Sequence, residues 1–244
     1  VKVCNCYVLS QRHKHRIYEM SSSVDAIKKD LLQVSTGYGL MNFTWRQEPV
    51  PLETAFATLN KVVDFSLPNK AFFNVGEFYG PNFINLEYVK SYFSKFPEKR
   101  SKVIISCKGG LNNENLTPQG DRLHVSESIE NCVRELGCGP LDIFQVARID
   151  TELAKQNGEE HFPRESFDTI VEYIERGAVG GISLSEVTEA QIRAIHKEYG
   201  KYLCCVEVEL SLFSTDILHN GVAKACNELG LPIICYSPLG RGLL

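Results

Sequence analysis

The chain has 244 residues, of which 43% are hydrophobic and 23% charged, and it carries a formal net charge of −4 at pH 7. This composition is typical of a globular protein, and the acidic balance argues against nucleic acid as its main partner. No apolar stretch approaches the roughly 20 residues that a membrane-spanning helix needs. The nine cysteines show no Cys-x-x-Cys spacing, which argues against a zinc site and favours a reducing, cytoplasmic compartment.

The two ends of the sequence differ from its middle. Residues 1–19 have no sustained apolar periodicity, and Met20 is followed by a run of serines, as at a natural start. We therefore interpret residues 1–19 as an upstream extension or a gene-model artefact. At the other end, Leu244 closely follows an apolar strand, which is typical of a fragment. These features divide the chain into an N-terminal extension, residues 1–35, and a main domain, residues 36–244, that is incomplete at its C-terminus.

Strands and helices alternate through the main domain, after a short helix or mobile arm expected over residues 21–29. Apolar residues at helical spacing predict a helix between successive strands, with Thr188 and Asp216 as N-caps of the last two. Gly37 begins a G-x-G pattern, but no helix is expected at Asn42, so the dinucleotide-binding fingerprint is not met. The predicted strands cover residues 32–40, 71–74, 103–108, 141–148, 178–185, 203–208 and 232–236.

This alternation predicts a parallel sheet covered by helices. Residues 153–163, after the fourth strand, are expected to form a polar excursion. A doubly wound open sheet would fit the element count, but a (β/α)8 TIM barrel has eight strands in about 250 residues, and this chain stops one strand and two helices short. We therefore predict an α/β fold, a (β/α)8 TIM barrel truncated after strand 7. Its terminal strands would have unpaired edges, so we expect this chain to be poorly soluble or partly unfolded.

Two polar residues stand at the ends of neighbouring predicted strands. Tyr79 lies in a glycine-bounded loop after the second strand, and Lys108 ends the third. In a parallel barrel the loops at the carboxyl ends of the strands carry the chemistry, so a phenol and a cation there would form a proton-transfer pair. Each could instead be an ordinary rim residue, but their occurrence on adjacent strands favours the pair.

Seven short motifs resemble those of the aldo-keto reductase family, and in particular of its fungal pyridoxal reductase (pyridoxine 4-dehydrogenase) branch. The resemblance runs from about residue 37 to residue 244, and it rests on the order and spacing of the whole set. The motifs are Gly39-Leu40-Met41 with Thr44-Trp45-Arg46, Gly76-Glu77-Phe78-Tyr79-Gly80, Lys108-Gly109-Gly110, Asp142-Ile143-Phe144-Gln145 with Arg148, Leu184-Ser185-Glu186, Glu209-Leu210-Ser211-Leu212-Phe213-Ser214 and Tyr236-Ser237-Pro238-Leu239-Gly240.

The resemblance implies a barrel that binds NADPH across its C-terminal mouth and transfers hydride to a carbonyl group. The catalytic residues of the family are Asp, Tyr, Lys and His. Tyr79 and Lys108 stand at the tyrosine and lysine positions, whereas Asn74 stands at the aspartate position and Ala147 at the histidine position. Catalytic roles are thus implied for Tyr79, Lys108 and Asn74. The implied substrate pocket consists of Trp45, Phe78 and Ala147.

The resemblance also implies a set of cofactor-binding residues. Ser185 matches the serine that contacts the nicotinamide amide, and Tyr236 matches the aromatic residue that stacks on the nicotinamide ring. Glu186 and Glu207 stand where the family commonly has Asn and Gln. The preference for NADPH over NADH is implied by the resemblance alone, because the loop that would read the 2′-phosphate follows strand 7. The implied cofactor-binding residues are Leu40, Ser185, Glu186, Glu207, Tyr236, Ser237 and Leu239.

The chemistry of carbonyl reduction suggests what the two substituted positions do. A free tyrosine has a pKa of about 10, and a cation within about 4–6 Å favours its phenolate, so Lys108 is expected to lower the pKa of Tyr79. Asn74 gives Lys108 one carboxylate fewer. If no other carboxylate replaces it, the cation would act more fully on Tyr79 and favour alcohol oxidation. Ala147 leaves room beside the carbonyl for a bulky aromatic aldehyde such as pyridoxal.

The leading hypothesis is an NADPH-dependent oxidoreductase that interconverts an aldehyde and a primary alcohol, with pyridoxal and pyridoxine as the expected pair. In this hypothesis Tyr79 donates or accepts the proton and Lys108 tunes its pKa. One alternative is a broad-specificity aldehyde or ketone reductase with the same barrel. Another is a non-catalytic regulatory subunit that binds NADPH. The expected partner is a small-molecule substrate, and the sequence makes no prediction of oligomeric state.

Overall fold

A single parallel sheet forms the centre of the molecule. The computed structural model describes residues 23–34 and 36–243, so the predicted extension at 1–19 lies outside the described residues. Each strand is hydrogen-bonded to the next in chain order. The strands are β1 (Tyr38–Gly39), β2 (Ala71–Gly76), β3 (Val103–Gly109), β4 (Ile143–Val146), β5 (Ile182–Ser185), β6 (Leu203–Glu209) and β7 (Ile233–Tyr236).

Helices lie before β1 and between all successive strands. None of the described helices combines the length and the hydropathy that crossing a membrane requires. Short 3₁₀ helices at Pro81–Phe83, Pro97–Lys102, Gly200–Tyr202, Asp216–Leu218 and Gly240–Gly242 supplement the α-helices. The α-helices of the described residues are α1 (Ser23–Leu31), α2 (Met41–Thr44), α3 (Leu52–Ser66), α4 (Ile84–Lys95), α5 (Arg122–Leu136), α6 (Thr151–Gln156), α7 (Arg164–Glu175), α8 (Glu189–Tyr199) and α9 (Val222–Glu228).

The strand order distinguishes a barrel from an open sheet. A doubly wound sheet reverses its strand order at a switch point, whereas here the order runs from β1 to β7 without a reversal. Seven parallel strands in sequential order, with helices between them, form a nearly closed (β/α) barrel. β1 and β7 are its two edges in the part of the chain that the structure describes. The prediction of a TIM barrel truncated after strand 7 is therefore confirmed.

Apolar residues pack in two clusters. The larger one joins the outward faces of the strands to the surrounding helices, as expected for a sheet buried on that face. The smaller one contains Phe72, Ile104 and Ile143, which lie near the N-terminal ends of their strands, together with Val24 and Leu31 of α1. Helix α1, which falls within the predicted N-terminal extension, therefore packs against the N-terminal end of the barrel.

The start of the main domain differs from the prediction. Residues 32–40 were expected to form one strand, but α1 continues to Leu31, a turn follows, and β1 is only two residues long. Val24 and Leu31 are buried at helical spacing, so packing of α1 extends the helix at the expense of the strand. Contrary to expectation, the short helix α2 begins immediately after Leu40.

Four later elements also differ from the prediction. The expected polar excursion contains α6, whose first turn is capped by Asp150, because the Asp150 carboxylate accepts a hydrogen bond from Leu153 N at 3.0 Å. Asp216 begins only a 3₁₀ turn. Helix α9 starts after Gly221, whose left-handed backbone, with a φ of 87°, separates the helix from that turn. β5 and β4 are shorter than predicted. The Thr188 cap is confirmed as a capping box with Gln191.

Candidate active site

A buried polar cluster lies inside the barrel at the C-terminal ends of β2, β3 and β6. Lys108 is 11% exposed and Glu207 only 2%, and the Lys108 Nζ atom forms an ion pair with Glu207 Oε1. Asn74 lies between them, because its Oδ1 accepts a hydrogen bond from Lys108 Nζ at 3.3 Å and its Nδ2 donates to Glu207 Oε2 at 2.6 Å. Asn74 Nδ2 also donates to Gln145 Oε1 at 3.0 Å. The four side chains form one connected network.

The strand register brings these residues together. In a strand, successive side chains point to opposite faces. Asn74 and Lys108 therefore point into the barrel, while their neighbours Phe73 and Cys107 belong to the outer apolar cluster. Lys108 is the register partner of Gln145 on β4. The alternation of apolar and polar positions in β2 and β3 thus fixes the polar residues on the inner face.

Tyr79 lies in the loop after β2, where it is 6% exposed. Its ring covers Gly76, and a Cβ atom at Gly76 would lie 2.7 Å from the Tyr79 ring, so this position requires glycine. The Thr44 hydroxyl fixes the loop by donating a hydrogen bond to Tyr79 O at 2.6 Å. Lys108 Nζ lies 5.8 Å from the centroid of the Tyr79 ring. The structure therefore brings the predicted phenol and cation together.

A fully buried asparagine holds this loop against the rest of the barrel. Asn85 of α4 donates hydrogen bonds to Leu40 O at 2.9 Å and to the Thr44 hydroxyl at 2.8 Å, and it accepts one from Gly76 N at 3.2 Å. Sequence reasoning missed Asn85. The available signal was a polar residue beside Leu86, close to the buried face of a predicted helix. Burying a polar side chain costs free energy unless the side chain is hydrogen-bonded.

The electrostatics of Tyr79 correct the sequence-based expectation. Burial raises the pKa of the Tyr79 phenol; the Lys108 cation lowers it and the Glu207 carboxylate raises it, and the net pKa lies above the ordinary value. Burial alone would lower the pKa of Lys108, but Glu207 and Tyr79 outweigh it, so the pKa of this ammonium is raised. Lys108 lowers the pKa of Tyr79 as expected, but burial outweighs this effect, so the net pKa does not move toward neutrality. The condition that no carboxylate replaces the missing aspartate is also not met, because Glu207 pairs with Lys108.

The predicted nicotinamide-binding residues lie close to the pair of Lys108 and Glu207. Ser185, at the end of β5, is 2% exposed and is the register partner of Glu207. Tyr236 ends β7, and its hydroxyl donates a hydrogen bond to Glu186 Oε1 at 2.6 Å. Lys108 Nζ lies 5.8 Å from the Tyr236 ring centroid, the same distance as from the Tyr79 ring. An aromatic ring held in place beside the buried cation fits the stacking position of a nicotinamide, and the Ser185 hydroxyl fits a contact to its amide.

The remaining predicted cofactor residues differ in accessibility. Ser237 has a positive φ of 51° and accepts a hydrogen bond from Gly240 N at 2.9 Å, which forms a tight turn after β7. Leu239 is 65% exposed in this turn. Leu40 is fully buried, and its backbone N–H donates to Asn74 O at 2.8 Å. Their contacts with a cofactor stay a prediction.

The predicted substrate pocket has an aromatic wall. Trp45 is 43% exposed, and its ring centroid lies 5.8 Å from that of Tyr79 and 6.1 Å from that of Phe78. Ala147 follows β4, is 5% exposed, and donates its N–H to Gly109 O at 3.2 Å. Trp45, Phe78 and Tyr79 thus form one aromatic group, while Ala147 lies beyond the end of β4 on the other side of Lys108 in the strand order.

Two further buried polar residues at this end were quoted in the sequence analysis only as parts of motifs, without a role. Gln145 is fully buried, and its Nε2 has no hydrogen-bond partner among the described residues. Glu77 is 3% exposed and accepts hydrogen bonds from Ser128 and Asn131 of α5, and burial raises its pKa. Both interrupt apolar or glycine-rich runs in the sequence, which was the available signal. The Glu77 carboxylate thus anchors the Tyr79 loop to α5, and the Glu77 N–H joins it to β3 by donating to Lys108 O at 2.9 Å.

Comparison with known sequences identifies relatives of this chain. It is 59% identical over 224 residues to a putative pyridoxal reductase of Saccharomyces cerevisiae, an alignment that covers 91% of this chain and 64% of the relative. It is 34% identical over 211 residues to a probable pyridoxal reductase 2 of Schizosaccharomyces pombe, which covers 85% of this chain and 60% of that protein. The chain therefore spans less than two thirds of the length of these relatives.

Comparison with solved structures supports the fold. A crystal structure of a thermostable aldo-keto reductase, solved with the inhibitor epalrestat, matches with a TM-score of 0.69 at 19% sequence identity, covering 85% of this chain and 69% of that one. At this identity the similarity concerns the fold alone. The sequence profile described as the aldo/keto reductase family matches residues 36–244. The barrel, the site at its C-terminal end and this match agree: the chain belongs to the aldo/keto reductase family.

Proposed function

We propose that the complete protein is an NADPH-dependent oxidoreductase that interconverts an aldehyde and a primary alcohol, with Tyr79 as the proton donor and acceptor. The observation that carries this proposal is the position of the Lys108 ammonium, buried and 5.8 Å from the ring centroids of both Tyr79 and Tyr236. A phenol, a cation and a stacking surface are the groups that a carbonyl reduction needs around one reacting carbon.

Two side chains of this site serve proton transfer, and two others orient the cofactor. NADPH, when bound, supplies the hydride. Because burial raises the pKa of Tyr79, its phenol stays protonated at neutral pH and donates a proton to the oxygen of the reacting carbonyl. The Lys108 ammonium then stabilises the phenolate that remains. Tyr236, held by Glu186, and Ser185 orient the nicotinamide end of the cofactor. In alcohol oxidation the phenol must lose its proton first, so that direction is favoured at alkaline pH.

We further propose pyridoxal and pyridoxine as the substrate pair. The names of the two relatives support pyridoxal. The aromatic wall of Trp45 and Phe78 suits a planar aromatic aldehyde, and we propose that the small side chain at Ala147 accommodates the substituents of the ring. NADPH rather than NADH is proposed on family membership.

The test uses the protein expressed from the complete reading frame that contains this chain. Oxidation of NADPH is followed by its absorbance with pyridoxal as substrate, and NADPH binding is measured separately by fluorescence. We expect turnover in the wild type and a loss of about 10²–10⁴-fold in kcat for Tyr79→Phe, with NADPH binding retained. Unchanged turnover in Tyr79→Phe would contradict the proposed role of Tyr79. Binding of NADPH without turnover of any aldehyde would instead favour a non-catalytic regulatory subunit.

A further inference from the structure

The buried cation of the site takes its negative partner from an unexpected strand. The aspartate position on β2 holds a neutral amide, Asn74, and the carboxylate beside Lys108 comes from Glu207 on β6. Each Glu207 oxygen is engaged, Oε1 by Lys108 Nζ and Oε2 by Asn74 Nδ2. Asn74 Oδ1 completes a closed ring of three side chains through its contact with Lys108 Nζ.

A buried ammonium requires a carboxylate, because an amide oxygen alone does not compensate for the loss of hydration of a full charge. The neighbouring carboxylates have other partners: Glu186 accepts from Tyr236, and Glu77 accepts from residues of α5. Among the described residues, Glu207 is the acidic side chain that pairs with Lys108. Because both of its oxygens are engaged, Glu207 belongs with the proton-transfer pair of Tyr79 and Lys108. The family resemblance had instead assigned Glu207 to cofactor binding.

We propose that Glu207 is a positioning residue that neutralises and holds the Lys108 ammonium beside Tyr79, so that the carboxylate and the amide have exchanged strands. The carboxylate sits at position 207 of β6 and the amide at position 74 of β2. This inference rests on the proposed function for its catalytic meaning, but the exchange itself is testable without turnover. It predicts that the two positions are interchangeable as a pair and that neither can be changed alone.

The two single substitutions disturb the charge of the ring in opposite directions. Glu207→Gln leaves Lys108 between two neutral amides. Asn74→Asp puts a second carboxylate at the place where Asn74 Nδ2 now lies 2.6 Å from Glu207 Oε2, so that two like charges face each other. The double variant Asn74→Asp/Glu207→Gln restores one carboxylate, one amide and one ammonium. Its carboxylate would stand on β2, where Asn74 Oδ1 already lies 3.3 Å from Lys108 Nζ.

The first measurement is kinetic and uses the complete protein. We expect kcat for aldehyde reduction to fall by about tenfold or more in each single variant, and to return to within about threefold of wild type in the double variant, as for directly contacting residues in a double-mutant cycle. The KM for NADPH should change little in Glu207→Gln. A Glu207→Gln protein that keeps its kcat and changes only the KM for NADPH would overturn the inference, because that result assigns Glu207 to the cofactor.

The second measurement does not depend on catalysis. The protein is labelled with [ζ-¹³C]tyrosine, the Tyr79 signal is assigned by its loss in Tyr79→Phe, and its titration is followed by NMR. Since the Glu207 carboxylate raises the pKa of Tyr79, Glu207→Gln should titrate at lower pH than wild type, and the double variant should return toward wild type. Glu209→Gln removes a carboxylate two residues further along β6 that takes no part in the hydrogen bonds of the ring; it is the matched control and should leave the Tyr79 titration unchanged.

The outcomes separate this inference from the proposed function. If the wild type turns over no aldehyde, the proposed function fails, while the titrations still decide the role of Glu207. A Tyr79 titration that is the same in wild type and Glu207→Gln overturns the inference. If Glu207→Gln does not fold, the double variant decides: a cooperative melt and a wild-type titration support the exchange of strands, whereas a double variant no more stable than Glu207→Gln overturns it.

Discussion

The two ends of the barrel interior are built from the same strands but differ in chemistry. At the N-terminal end, Phe72, Ile104 and Ile143 pack with Val24 and Leu31 of α1 in an apolar cluster. These contacts are non-directional, and each contributes roughly in proportion to the area it buries. Replacing a residue at this end should therefore lower the free energy of unfolding without changing the catalytic activity.

The C-terminal end begins only two residues further along each strand. There the inward positions hold Asn74, Ser106 and Gln145, followed by Lys108 on β3. These groups are buried, and their cost is offset only by hydrogen bonds and an ion pair among themselves. The comparison shows that one end of the barrel is stabilised by its core, while the other carries a coupled polar network that serves the chemistry. Substitutions at the two ends should separate stability from activity.

The largest effect is expected for Lys108→Met, which breaks the polar end. Without the ammonium, the Glu207 carboxylate is left buried and unpaired, and removal of one partner of a buried pair costs about 3–5 kcal/mol of folding free energy. Turnover should fall by about 10²–10⁴-fold as well, because Tyr79 loses the charge that stabilises its phenolate. The measurements are denaturant unfolding and NADPH-dependent aldehyde reduction.

Lys102→Met is the matched control for this change. Lys102 precedes the same strand but is exposed, so its substitution should alter the free energy of unfolding by no more than about 0.5 kcal/mol. Full activity in Lys108→Met would contradict the division of the barrel into a structural and a chemical end.

The next effect in size is expected for Ile104→Ala at the apolar end. Ile104 is 2% exposed in the cluster with α1, and truncation of a buried isoleucine costs about 2–5 kcal/mol. Under conditions in which the variant is folded, its kcat and KM should match those of wild type. Leu32→Ala, at an exposed position after α1, serves as the control and should leave stability unchanged. A loss of kcat in folded Ile104→Ala would show that the two ends are coupled.

The sequence predicted the parts of the molecule that depend on local periodicity. The parallel strands place the Tyr79 loop after β2 and Lys108 near the end of β3 at the same end of the barrel, and the alternation points Lys108 inward. Neither inference needs knowledge of distant contacts. The start of the main domain was predicted less well, because residues 32–34 continue an apolar pattern that suits either a helix or a strand. There the packing of α1 against the barrel, a contact between distant parts of the chain, decided the outcome.

The partner of Lys108 could not be predicted from the sequence. Lys108 and Glu207 are 99 positions apart, and Asn74 and Glu207 are 133 apart. The alternation shows that all three side chains face inward, but the stagger of the strands around the barrel decides which inward side chains meet. The resemblance to the family assigned Glu207 to the cofactor by its position on β6. Only the three-dimensional structure shows that both of its oxygens are already engaged by Lys108 and Asn74.

The smallest expected effect concerns the pH dependence of reduction near neutrality. Burial raises the pKa of Tyr79 more than any other cause does. Its phenol therefore stays protonated at pH values above the ordinary pKa of tyrosine. Reduction needs the protonated phenol, and its kcat/KM should therefore be flat between about pH 6 and about pH 9 as far as Tyr79 is concerned. Oxidation needs the phenolate, so its kcat/KM should rise with pH over the same range without a plateau. Measured pH–rate profiles in both directions test this, and an oxidation rate that levels off near neutral pH would mean that Lys108 outweighs burial and Glu207.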